Sequence, residues 1–179
     1  TRHSWAVNDW DRQGRDETDN PNVDAMKDID GVFEAGAFAA WNVRNWFVGV
    51  DMLFDVSDVH DGMLAQVSTG YRWEAKPGLR IMPVGYLLYA DNDYMDTYFG
   101  VNSGNRGSSP LPDFRADGGF NKAGLMLTAD YTPWERWGLS GFVAYSVLLN
   151  DAKDSPIVAR EGSDEQVSLG VMVTYRWGS

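Results

Sequence analysis

The stretch Val167–Trp177 reads VSLGVMVTYRW. Val167, Leu169, Val171, Val173, Tyr175 and Trp177 alternate with Ser168, Gly170, Met172, Thr174 and Arg176. A period of two is that of a β-strand, because successive side chains point to opposite faces. One face is apolar and ends in two aromatics; the other is smaller and more polar. Half-buried strands of water-soluble sheets alternate as well, so the fold turns on whether the rest of the chain repeats the pattern.

It does, six more times. Upstream strands are expected at 32–43, 46–56, 63–73, 79–90, 122–131 and 138–149. The first sets Phe33, Ala35, Ala37, Ala39 and Trp41 against Glu34, Gly36, Phe38 and Ala40. Pro83 interrupts the fourth, since proline removes a ladder donor. Connections alternate short and long. Arg44-Asn45, Glu74–Gly78 and Thr132–Trp137 are short; the loop through His60, the segment 91–121 and the segment 150–165 are longer. Aromatics gather at the short-turn end: Trp41, Trp46, Tyr71, Trp73, Tyr131, Trp134, Trp137, Tyr175 and Trp177. Ring systems with one wet and one apolar end favour the headgroup level of a membrane.

Alternating strands, alternating loop lengths and a one-ended aromatic girdle specify an all-β fold, an antiparallel transmembrane outer-membrane β-barrel. Residues 1–31 read as an acidic loop region, with Ser4–Trp10 readable as the end of a strand. Residues 32–177 carry the strands, and 178–179 read as an appended remnant. Seven strands is an odd number, and bacterial single-chain barrels have even ones. The front of the barrel is therefore expected outside this chain, or in undetected strands.

The bulk numbers fit. The net charge of −11 argues against nucleic acid as a partner. No run of apolar residues is long enough for a transmembrane helix. Cysteine is absent, which excludes disulfides and thiolate metal sites. A mean hydropathy of −0.37 suits a barrel, in which only alternate strand residues face lipid.

Four segments lie in order along nearly the whole chain: Asp28-Ile29-Asp30-Gly31, Tyr94–Val101 (YMDTYFGV), Asp154–Val158 (DSPIV) and the closing Tyr175-Arg176-Trp177. Together they resemble the MltA-interacting protein (MipA/OmpV) family of Gram-negative outer membranes. The resemblance implies a barrel of about 10–12 strands when complete. It implies outer-membrane lipid and lipopolysaccharide as surroundings, and recognition of the closing strand by the outer-membrane assembly machinery. It also implies a non-enzymatic envelope scaffold linking a murein hydrolase to a murein synthase. Other members are discussed as adhesins or modulators of antibiotic susceptibility. Two features depart from the family: its further strands before the point matching Asp28 have no counterpart in residues 1–27, so the chain resembles the C-terminal part of the family; and the closing strand has Met172 where glycine is usual and Gly178-Ser179 after its terminal aromatic.

The expected interior carries Glu34, Asp51, Arg72, Arg80, Asp130 and Arg176. It also carries Phe38, Phe47, Leu53, Leu64, Met82, Tyr86, Leu88, Met126 and Phe142. Apolar bulk of this kind favours a filled lumen with internal ion pairs, since buried charges need partners. The alternative is a narrow, porin-like channel for small solutes, its selectivity set by those charges. Tyr94, Met95, Tyr98, Phe99 and Gly100, with Asp154, Ser155 and Pro156, read as a loop or plug element. The other reading is a loop that packs its own aromatics. Asp91-Asn92-Asp93 begins like a calcium loop but lacks the glycine and closing glutamate, so no metal site is expected. His60 with Asp58, Asp61 or Ser57 makes only a partial triad, so neither catalytic residues nor a cofactor are expected.

Overall fold

The computed structural model describes residues 20–29, 31–133 and 136–177. The expected strand end at Ser4–Trp10, together with Asp30, Trp134 and Gly178-Ser179, lies outside the described residues. Eight strands form one antiparallel sheet: β1 (Glu34–Val43), β2 (Trp46–Asp55), β3 (Met63–Tyr71), β4 (Trp73–Lys76), β5 (Leu79–Ala90), β6 (Gly119–Tyr131), β7 (Trp137–Leu148) and β8 (Glu165–Tyr175). The path runs β1-β2-β3-β5-β6-β7-β8, with β4 paired to β5. Among the described residues no ladder joins β1 to β8, so the sheet is open.

The expected strands appear in place, and the eighth has a local cause. Gly70 pairs with Val84 and Trp73 with Ile81, so β3 and β4 are one bent strand in a single register. The break faces Pro83, which has no amide to donate. The hairpin thus extends to Lys76, where sequence reading begins the turn at Glu74. The turn closes on Pro77-Gly78, with Gly78 at φ 77. At the first hairpin Arg44 takes a positive φ of 54, a position usually given to glycine or asparagine.

The two faces differ as alternation requires. Inward residues Gly49, Leu64, Val84, Leu88, Thr128 and Ser146 are buried. On the outer face Leu125 is 67% and Leu169 78% exposed, among Val48, Val67, Leu87 and Val143. A continuous exposed belt of valine and leucine on a sheet is what a lipid-facing wall presents. No described helix is long and apolar enough to cross a membrane.

The long connections are not featureless, which corrects the loop reading of 91–121, 150–165 and the residues before 31. Among the described residues they hold four short helices: α1 (Pro21–Asp24), α2 (Asn92–Phe99), α3 (Asn150–Asp154) and α4 (Pro156–Glu161). Caps specify them. Asp91 accepts from the Tyr94 amide at 3.0 Å, and Ser155 Oγ from the Ile157 amide at 3.3 Å ahead of Pro156 at the first helical position. Their apolar residues make two small cores. One joins Tyr94, Met95 and Phe99 to Leu64, Ala90, Ala116 and Ala152; the other joins Val23, Met26, Val101, Leu111 and Ile157. The helices therefore cap the long-loop end of the sheet.

Candidate functional site

The Tyr94–Val101 and Asp154–Val158 segments meet in the cap. Ser155 is wholly buried, and its Oγ donates to the Phe99 carbonyl at 2.6 Å. Met95, Tyr94, Phe99, Gly100 and Pro156 are buried, Tyr98 is half-buried and Asp154 faces solvent. Any side chain at Gly100 would run into the Asp96 carbonyl, to which the Gly100 amide donates. Asn20 and Asn22 tie α1 to Glu161 of α4 at 2.6 and 3.0 Å. Asp91, first residue of the calcium-like motif, is engaged otherwise. Its carboxylate caps α2 and accepts from the Met63 amide at 2.9 Å.

His60 sits beneath α2, 5% exposed. Its ring meets Tyr94 and Tyr98 edge-on at 5.2 and 5.5 Å. Nδ1 accepts from the Gly62 amide at 2.9 Å, which assigns the neutral ring's proton to Nε2. Nε2 lies 3.7 Å from Glu34 Oε1, and Nδ1 3.9 Å from Asp55 Oδ2. These carboxylates, rather than Asp58, Asp61 or Ser57, are its acidic neighbours, because Glu34 and Asp55 pair directly across β1 and β2. The Asp55 carboxylate accepts from Ser57 N and Oγ and from the amides of Val59, His60 and Asp61. The cluster fastens the β2–β3 loop to the sheet and to the cap.

The interior charges do not form the ion pairs expected among Arg72, Arg80, Arg176, Asp51 and Asp130. Arg80 stands opposite Asp130 in register, yet its Nε pairs with Glu74 at 2.9 Å in an exposed contact. Asp130 accepts from Ser140 Oγ at 2.6 Å instead. Arg72 donates to Asn42 at 2.7 Å and lies over the Phe47 ring at 4.8 Å. Asp51 stands between Phe38 and Gln66 in the ladders. The Arg176 amide donates to the Arg136 carbonyl at 2.8 Å, extending the β7–β8 ladder by one step. Glu34 and Lys122 lie at the cap end of their strands, and Arg72, Arg80, Asp130 and Arg176 at the short-turn end.

On the outer face the girdle rings form two touching groups. Trp46 meets Tyr71 at 5.1 Å, Trp137 meets Tyr175 at 4.7 Å, and Tyr175 meets Trp177 at 4.8 Å. Lys76 covers Tyr131 at 5.4 Å, while Trp41 and Trp73 are exposed. In the cap, a cavity of about 630 Å³ opens among Asn92, Asp93, Asp96, Asn102, Asp113 and Arg115. Sequence reading missed this cavity, because its lining converges from α2 and the irregular chain after it.

Comparison with known proteins agrees with this architecture. A family model described as "MltA-interacting protein MipA" matches residues 4–177. The chain is 28% identical over 151 residues to "Putative outer membrane protein YiaT" of Escherichia coli (strain K12), covering 83% of this chain and 60% of that relative. The protein of the same name from Escherichia coli O157:H7 is 28% identical over 109 residues, covering 61% of this chain and 44% of the relative. The chain therefore spans 60% or less of the curated relatives it matches. No solved structure matches it. With a lipid-facing belt, a girdle at the short turns and a match over nearly its whole length, the chain belongs to the MltA-interacting protein MipA family of Gram-negative outer-membrane proteins.

Proposed function

We propose that the protein is a non-enzymatic envelope scaffold whose periplasmic turns hold a murein enzyme. The observation that carries this reading is the match of residues 4–177 to a family described as interacting with MltA. The geometry supports it in two ways. Short turns of outer-membrane barrels face the periplasm, so Glu74–Gly78 and Thr132–Trp137 are the parts a periplasmic enzyme meets. At the other end, Leu64, Leu88 and Ala90 are buried beneath the helical cap, whereas inward Phe38 and Met172 on the open edge strands are exposed; the closed cap end suits a wall better than the alternative of a narrow channel. His60, the buried imidazole, serves here as a strut between Glu34, Gly62 and the α2 tyrosines.

The test is co-purification. Replacing both turns with Asn-Gly linkers should abolish recovery of a murein enzyme with the complete protein, while the barrel keeps its heat-modifiable mobility in gels. Unchanged recovery sinks the proposal.

A further inference from the structure

The short-turn end is cationic in a chain whose net charge is −11. Arg44, Arg72, Lys76, Arg80, Arg136 and Arg176 lie there in sequence, against Glu74, Asp130 and Glu135. The Glu74 carboxylate is taken by Arg80 and that of Asp130 is bonded to Ser140. Among the described residues, Arg72, Arg136 and Arg176 have no carboxylate partner.

These three guanidinium groups stand on the inner side of the mouth. Arg72 follows Gly70 in the inward series and covers inward Phe47. Arg176 lies between Tyr175 and Trp177, whose rings stack on each other and on Trp137 along the outer girdle. Alternation then turns Arg176 inward, and Arg136, its ladder partner, with it. The lipid-facing rings and the arginines without a carboxylate partner are on opposite faces, so membrane headgroups are not what these arginines meet.

Spacing selects the partner's shape. From the strand before Arg72 to the strand before Arg176 the sheet takes four interstrand steps, or about 19 Å at roughly 4.8 Å each. One phosphate or carboxylate reaches at most a neighbouring pair. An extended peptide, rising about 3.3 Å per residue, spans the set with about six residues, and guanidinium forks bind carboxylates in two-point contacts.

We propose that the periplasmic mouth is a docking surface for an extended, carboxylate-rich segment of a protein partner. This deepens the scaffold reading and rests on it for the partner being a protein.

The test uses the complete protein in zwitterionic detergent micelles, with fluorescein-labelled decaglutamate read by anisotropy. Decaglutamate should bind at about 50 mM salt and weaken sharply by about 200 mM, as exposed charges are screened. The combined R72Q, R136Q and R176Q changes should weaken binding by about tenfold or more. Arg115→Gln with Arg160→Gln, at the cap end, should leave it unchanged. If the triple variant does not refold, Arg136→Gln and Arg176→Gln made singly should each weaken binding by about threefold. Absent binding at low salt, equal binding by the arginine variants, or equal affinity for decalysine overturns the proposal. Arginine-dependent binding of murein sacculi without decaglutamate binding overturns it too. Decaglutamate binding without enzyme co-purification leaves this surface standing and sinks the scaffold. Co-purification that survives the three arginine changes does the reverse.

Discussion

The Tyr86 ring occupies the place where a side chain at Gly124 would begin: a Cβ there would fall inside the ring's own envelope. The two residues are direct partners across β5 and β6 on the inward face. Phe47 covers Gly70 across β2 and β3, and Phe142 covers Gly170 across β7 and β8, in the same manner. Glycine weakens a strand unless something fills the missing volume, and an aromatic neighbour does so. Gly124→Val should therefore displace the ring and destabilise the barrel by about 1–3 kcal/mol. Denaturant midpoints in detergent would read this, and an unchanged midpoint would show that the ring is free to swing away.

Ser155→Ala removes the buried hydroxyl that joins α4 to the Phe99 carbonyl and caps Ile157. The loss should be about 1–3 kcal/mol, confined to the cap. Limited proteolysis should cut 91–121 faster while the strand region resists as before. Equal cutting rates would mean that the two cores hold the cap without this bond.

Asp55→Ala leaves four amides of the β2–β3 loop without their acceptor. At about 1–3 kcal/mol for each buried unmet donor, partly regained through water, the loop and the overlying Tyr94 should loosen. Hydrogen exchange of the Val59 and His60 amides should rise strongly. Asp55→Asn, which keeps one acceptor oxygen, should give a smaller rise; equal rises would argue that the charge dominates.

Lys153 and Asp164 pair at 3.0 Å in the β7–β8 connection, outside the strands. The hydrogen bond from Lys153, helped by its charge, holds the Asp164 carboxyl below its usual 3.8. The same bond raises Lys153 above its usual 10.5. A depressed carboxyl contributes stability that is present above its unfolded value and lost as pH falls through the folded one. A raised ammonium contributes stability that is present below its unfolded value and lost as pH rises through the folded one. Protection of the Leu148 amide, which donates to the Asp164 carbonyl at 2.7 Å, should thus be flat from about pH 5 to about pH 9 and fall below about pH 4. The step should be small and salt-sensitive, because the pair is exposed. Asp164→Asn should remove the acid step; its persistence would assign it elsewhere.

In planar bilayers the complete protein should give no discrete conductance steps, with the Tyr94–Val101 segment intact or deleted. Steps in the intact protein would favour a channel. Steps only after deletion would make α2 a plug over an open path.

The strands were legible because lipid on one side and packed side chains on the other impose a period of two over ten or so residues. The split at Arg72 was half legible: Pro83 announced a missing donor, but not on which strand the gap would show. The cap helices were not legible. Tyr94, Met95, Tyr98 and Phe99 have helical spacing, but they lie in a segment dominated by Gly, Asn, Ser and Pro, and helices of one or two turns leave almost no periodic signal. The neighbours of His60 were recoverable in principle. A two-residue turn at Arg44-Asn45 fixes the β1–β2 register, and that register sets Glu34 beside Asp55. The reading instead looked to residues adjacent in sequence, which in a loop point to different sides.

The bond between Ser155 and Phe99 has a consequence for anything that approaches the cell from outside. It joins two connections far apart in sequence into one folded surface. An antibody or phage that selects this surface reads a discontinuous epitope, and neither loop as a free peptide reproduces it.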